Sequence, residues 1–124
     1  MYLRMSFNFF SVSLAALVMA VPGRGLAQDD AATVARRIAA VSSIAADEYA
    51  LGVAGGRVIS EAELTEARLF LGEARDAAAG LPEPVRTAAL DRLARLLDHA
   101  RTLGDPGALR REASRARVAA SSTR

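Results

Sequence analysis

IAADEYALGVAGGRVISEAELTEARLFL, residues 44–71, is the stretch whose reading decides the fold. It reads as the end of one helix, a Gly-rich corner and the start of a second helix. The first helix closes through Tyr49, Leu51 and Gly52, glycine being suited to the left-handed conformation that follows a helix. The corner is Val53-Ala54-Gly55-Gly56-Arg57-Val58-Ile59. Ser60 opens the next helix with Glu63 three residues on. That is the spacing of a capping box, in which each side chain accepts the other residue's free backbone N–H. Tyr49 is expected to pack the corner with its hydroxyl at the surface. Gly52-x-x-Gly55-Gly56 is no phosphate-binding Gly-x-Gly-x-x-Gly, because no strand precedes it; its expected job is a tight inter-helix corner.

Upstream, Val34, Ile38, Val41, Ala45 and Tyr49 recur at helical spacing from Ala31 onward, with Gln28-Asp29-Asp30 as a polar, capping entry. Downstream, Leu64, Ala67, Leu71, Ala74 and Ala78 give the second helix, from about Glu61 to Ala79, one apolar face. Glu61, Glu63, Glu66, Glu73 and Asp76 give it an acidic side, and Gly80-Leu81-Pro82 stops it. Pro84 suits the first turn of a third helix, where its missing N–H costs nothing. Val85, Ala89, Leu93, Leu96, Ala100 and Leu103 form the cleanest apolar stripe of the chain, so this helix is expected to be the central core element, ending at Gly104. Asp105-Pro106-Gly107 is a turn whose Asp caps a last helix from about Ala108 to Ala119, with Leu109, Ala113 and Ala116 on a thin apolar face among arginines. No strand pattern of any length is present. Four helices with short connections predict an all-α, up-and-down antiparallel bundle over residues 28–120, with Ser121–Arg124 as a disordered tail.

The 124 residues make one domain at most. Arg4, the apolar run Phe7–Val21, the breaker Pro22-Gly23 and the small residues Gly25 and Ala27 are the marks of a secretory signal peptide, residues 1–27. The apolar run is shorter than the roughly 20 residues a spanning helix needs. The expectation is export to the periplasm or outside the cell, with membrane anchoring if the leader is retained. The absence of cysteine excludes disulfides, thiolate zinc sites and a covalent Cys-x-x-Cys-His haem site. Charge is uneven: residues 28–85 hold 5 arginines and 10 acids, residues 86–124 hold 9 arginines and 4 acids. An acidic front half and a basic back half attract each other within a bundle or face different partners. Every basic residue is Arg, which reads as genomic coding bias; with export expected and no aromatic residue among the arginines, nucleic acid is not an expected partner. The alanine-rich core buries little area per residue, which leaves room for pairing with a second copy.

The 44–71 stretch resembles the extracytoplasmic N-terminal region of bacterial Ftr-type, oxidase-dependent iron permeases. The residues that carry the resemblance are Ile44-Ala45, Glu48-Tyr49, Val53, Gly56-Arg57-Val58, Glu61, Glu63, Glu66 and Phe70. It covers about 28 residues. The chain departs from the family in lacking the Arg-Glu-x-x-Glu transport motifs of its membrane helices; the nearest look-alike, Arg111-Glu112-Ala113-Ser114-Arg115, ends in Arg. It also lacks the haem site that some members carry in this region. The resemblance therefore implies an accessory role in iron uptake, presenting iron or docking on a membrane iron permease, and not transport by this chain alone.

Hard carboxylate oxygens suit ferric iron, and Glu63 and Glu66, at i and i+3, share a helix face. With Glu61 they form a candidate iron site, which Asp47 and Glu48 across the corner complete if the two helices are antiparallel. The competing reading is helix-dipole compensation by acids in a first turn, with Glu63 as a cap. His99, the lone histidine, reads as a surface or capping residue, and no residue set marks a catalytic centre. Two further readings stand beside the iron one. The chain is a metal-free interaction module pairing through its Ala/Leu faces, or the Arg-rich last helix binds acidic headgroups. The acidic second helix is the nearest expected partner for those arginines, which argues against the membrane surface.

Overall fold

The structure is a computed structural model that describes residues 30–121; the expected leader and residues 122–124 lie outside the described residues. Four helices, α1 (Ala31–Gly52), α2 (Glu61–Ala78), α3 (Val85–Arg101) and α4 (Pro106–Ser121), follow one another with short connections. Ser121, expected in the tail, is the last residue of α4. The start of each helix has a local cause. Asp30 accepts the Thr33 N–H at 2.8 Å ahead of α1, and Asp105 accepts the Ala108 N–H at 2.9 Å in the first turn of α4, each side chain supplying an acceptor that the helix itself cannot. Pro84 occupies the N-cap of α3, one residue before the helical run, with no side-chain cap bond.

The corner between α1 and α2 contains what the sequence pattern does not announce, a minimal antiparallel ladder. Strand β1 (Val53–Ala54) pairs with β2 (Arg57–Val58), Val53 opposite Val58 and Ala54 opposite Arg57. Two strands of two residues leave no periodicity to read. Gly55 and Gly56 form the turn with φ of +58° and +72°, the paired positive values of the two-residue turn that matches strand twist. The Ile59 and Ser60 N–H groups then both donate to the Gly52 carbonyl, at 2.8 and 3.1 Å. Gly52 itself remains helical and is not the left-handed residue expected there. It is required for space, since a Cβ on it would lie 2.7 Å from the Leu64 backbone nitrogen.

In the bundle α1 packs on α2 and α4, α3 packs chiefly on α2 and more slightly on α4, and the diagonal pair α1 and α3 hardly touch. The core is centred on Tyr49, Val53, Leu64, Leu71, Leu93, Leu96 and Leu109, all fully buried. Buried alanines between them, such as Ala45, Ala67, Ala74 and Ala100, let the helices approach closely. The expectation that α3 is central fails. Only Leu93, Leu96 and Ala100 of it are buried, while Val85, Ala89, Leu90 and Leu97, with Leu103 just beyond its end, are half-covered. Its stripe is wider than the surface its neighbours offer, because α1 stands across the diagonal. Among the described residues, no helix is long and apolar enough to cross a membrane.

Candidate metal centre

Glu48 sits in the last turn of α1, Glu63 and Glu66 in the first two turns of α2, and the corner folds them against each other. One carboxylate oxygen from each lies within 4.8 Å of the others. All three residues are half-buried. Glu48 Oε2 and Glu63 Oε2 are buried and have no hydrogen-bond partner. Buried acceptors without donors are costly, and two such atoms converging with a third carboxylate form a site that favours a bound cation or proton. The closeness of the Glu63 carboxyl, which favours a proton between the two groups, raises Glu48 to about 7. Partial burial and the charges of Glu63, Glu66 and Asp47 add to that rise.

The geometry divides the five carboxylates expected from the sequence. Glu48, Glu63 and Glu66 come together. Glu61, one residue from the N-cap, is exposed and outside the cluster. Asp47 is exposed and pairs with Arg110 of α4 at 3.1 Å, because its position on α1 turns it 100° away from Glu48. The capping box is half made. Ser60 Oγ accepts the Glu63 N–H at 3.4 Å, but the Ser60 N–H is taken by the Gly52 carbonyl, leaving the Glu63 carboxylate to the cluster.

Behind the cluster, Tyr49 is fully buried and its hydroxyl donates to the Gly104 carbonyl at 2.7 Å. Burial holds the phenol above its ordinary pKa. The surface hydroxyl expected from the sequence is therefore a buried tie between α1 and the α3–α4 turn. His99 is half-buried, meets the Tyr49 ring edge-on at 6.4 Å between centroids, and has its Nε2 2.9 Å from the Asp105 carbonyl. Neither ring joins the carboxylates; both stiffen the end of α1 that positions Glu48. Arg110 and Arg115 of the Arg-rich α4 find their acids elsewhere than on the acidic face of α2, which lies diagonal to it. Arg110 reaches Asp47 on α1, and Glu112 of α4 takes Arg95 from α3 and Arg115 from its own helix.

These features define a class: a small all-α bundle whose first two helices close on a cluster of three carboxylates. The chain belongs to the family of the iron permease-associated 4-helix bundle domain, whose sequence model matches residues 26–120. The match extends the kinship from the 44–71 stretch to the whole bundle. No curated protein and no solved structure matches the chain.

Proposed function

We propose that this domain is a non-enzymatic, extracytoplasmic accessory of iron uptake that holds an iron ion as cargo on Glu48, Glu63 and Glu66 and docks beside a membrane iron permease. The observation that carries the reading is the convergence of three half-buried carboxylates with two buried, unpartnered oxygens in a chain of an iron permease-associated family. Three hard anionic donors suit a hard cation. An octahedral ion with bonds of about 2.1 Å keeps its ligand oxygens no more than about 4.2 Å apart, so a small closing of the carboxylates completes the set. The remaining positions fall to water or to a partner's side chain, which suits an ion that is passed on. A proton on Glu48 competes with the metal, so affinity rises with pH through neutrality.

The surroundings suit docking. Ile44 and Leu51 stand about one turn on either side of Glu48 on the same face of α1, and Leu51 and Ile59 are 61% and 63% exposed. Exposed apolar residues framing a polar site fit an interface that closes over the cargo.

Calorimetric titration with ferrous iron under anaerobic conditions and with ferric citrate tests the reading, beside a variant carrying Glu48→Gln, Glu63→Gln and Glu66→Gln. Binding at micromolar or tighter Kd that weakens at least tenfold in the triple variant is expected, with Glu61→Gln leaving it unchanged. No heat from either iron form would remove direct iron binding and leave a metal-free interaction module. That module would work through the Leu51–Ile59 end, by docking or by pairing with a second copy.

A further inference from the structure

The standoff between α1 and α3 leaves an open groove of about 340 Å³ whose lining includes none of the three clustered carboxylates. Its walls are Ile38 and Ala39 of α1, Val85, Ala89 and Leu93 of α3, and Ala116 of α4. The volume falls within the range of small-molecule sites, and such sites combine apolar walls with a few polar groups that orient the ligand. Two polar side chains line this one. The Ser42 hydroxyl is satisfied, donating to the Ile38 carbonyl at 2.8 Å. Arg92 is not: its Nε is buried without a hydrogen-bond partner, and no carboxylate among the described residues forms an ion pair with it. It stands at the rim of the groove, three residues beyond Ala89 on the same side of α3. A cation whose Nε–H is buried and unpartnered beside an apolar trough calls for a ligand with an anionic acceptor at one end and hydrocarbon at the other.

We propose that the α1–α3 groove binds a single-chain carboxylate amphiphile, its hydrocarbon lying between Ile38, Ala39, Val85 and Ala89 and its carboxylate on Arg92. The unpartnered Arg92 Nε–H beside apolar walls selects an occupant that carries an anionic acceptor and hydrocarbon together; a second copy of the chain is the competing outcome that the test separates. The site is separate from the carboxylate cluster and does not depend on the iron reading.

The test is calorimetric titration of the protein produced from the full-length chain with decanoate, kept below its micelle concentration, and with decanol. Arg92→Gln and Ala89→Phe variants run beside it, with ¹⁵N spectra that follow the Arg92 side-chain Nε–H. Decanoate is expected to bind at least tenfold more tightly than decanol and to shift the Arg92 Nε–H resonance. Arg92→Gln should remove that preference while decanol affinity stays unchanged, and Ala89→Phe should block both. Arg92 lies on a half-exposed rim, so Arg92→Gln retains the fold, and unchanged iron titration in that variant keeps the two sites apart. Equal binding of the two ligands, equal decanoate binding by Arg92→Gln, or no binding would overturn the proposal. So would a dimer in light scattering that Ala89→Phe dissociates, since the groove would then be a contact between copies.

Discussion

The two ends of the chain's apolar pattern are packed in opposite ways. Around the α1–hairpin–α2 corner, backbone meets backbone: Gly52 lies against the start of α2 with no room for a Cβ, and Ala45, Ala67 and Tyr49 are wholly buried. On the α3 side, residues of the same chemical type line an open groove. Tight packing at the corner holds three like charges together, which is an electrostatic cost that only a rigid scaffold sustains. Looseness at α3 costs little, since an alanine wall exposes little hydrocarbon per residue. The rigid region positions charge and the loose one offers volume.

The largest expected effect breaks the rigid side. In Gly52→Ala the new Cβ meets backbone atoms of Leu64 and Ser60 at 2.7 to 3.2 Å, so α1 and α2 must separate. A loss of about 3 kcal/mol is expected in urea unfolding. Gly72→Ala, within α2 and with nothing within 4 Å of the new methyl, should instead gain about 0.5–1 kcal/mol from helix propensity. Equal responses at the two glycines would show that the corner is not tight.

The second effect concerns the charge that the corner holds. The neighbouring Glu63 carboxyl and partial burial push Glu48 up to about 7 in the fold, against 4.5 for a free glutamate side chain. Its folded form therefore keeps a proton that the unfolded chain has released. The associated stability is complete below about pH 4.5 and is lost as pH rises through 7. The full shift corresponds to about 3 kcal/mol; solvent access to the half-buried cluster reduces the expectation to roughly 2 kcal/mol between pH 5 and 8. Metal-free protein should thus unfold more readily at pH 8 than at pH 5, and Glu48→Gln should flatten that profile and raise Tm at pH 8. A wild-type profile that rises from pH 5 to 8 would contradict the clustering.

How much of this the sequence carried follows from where each feature originates. Helix number and approximate bounds come from 3.6-residue periodicity and local caps such as Asp30, Ser60 and Asp105, all local signals. The pairing of Glu63 with Glu66 is equally local. That Glu48 and not Asp47 joins them depends on the rotation of α1 relative to α2, which the short β1–β2 ladder sets, and four strand residues leave no pattern to read. Glu61 entered the candidate set because a first-turn acid looks the same whether it serves the helix dipole or a ligand. The buried state of the Tyr49 hydroxyl and the partial burial of α3 both depend on which helices are diagonal. That is a property of the assembled bundle and not of any one segment.

Tyr49→Phe tests the tie that holds α1 against the α3–α4 turn. It removes the bond to the Gly104 carbonyl and leaves that acceptor without its phenolic partner, for an expected loss of about 1–2 kcal/mol. Because Tyr49 neighbours Glu48, iron affinity should fall modestly alongside stability, whereas a surface hydroxyl would change neither.

The smallest effect is expected at Ala89, and set beside Ala67 it gives the most direct comparison of the two regions, because one substitution can be placed in each. Ala67 is wholly buried between α2 and its neighbours, and Ala89 borders the groove on α3. Leucine at 67 has no space to enter without displacing packed side chains, which places its cost in the range of about 1–3 kcal/mol. Leucine at 89 extends into open volume and covers apolar surface already facing water, so it should change stability by no more than about 0.5 kcal/mol and in the favourable direction. Helix propensity differs little between the two residue types, so the contrast isolates packing. Comparable losses at both positions would mean that α3 closes on α1 in solution and that no groove remains for a ligand. A loss at 67 with a gain at 89 would show that one apolar pattern builds a rigid corner and an open trough within a single small bundle.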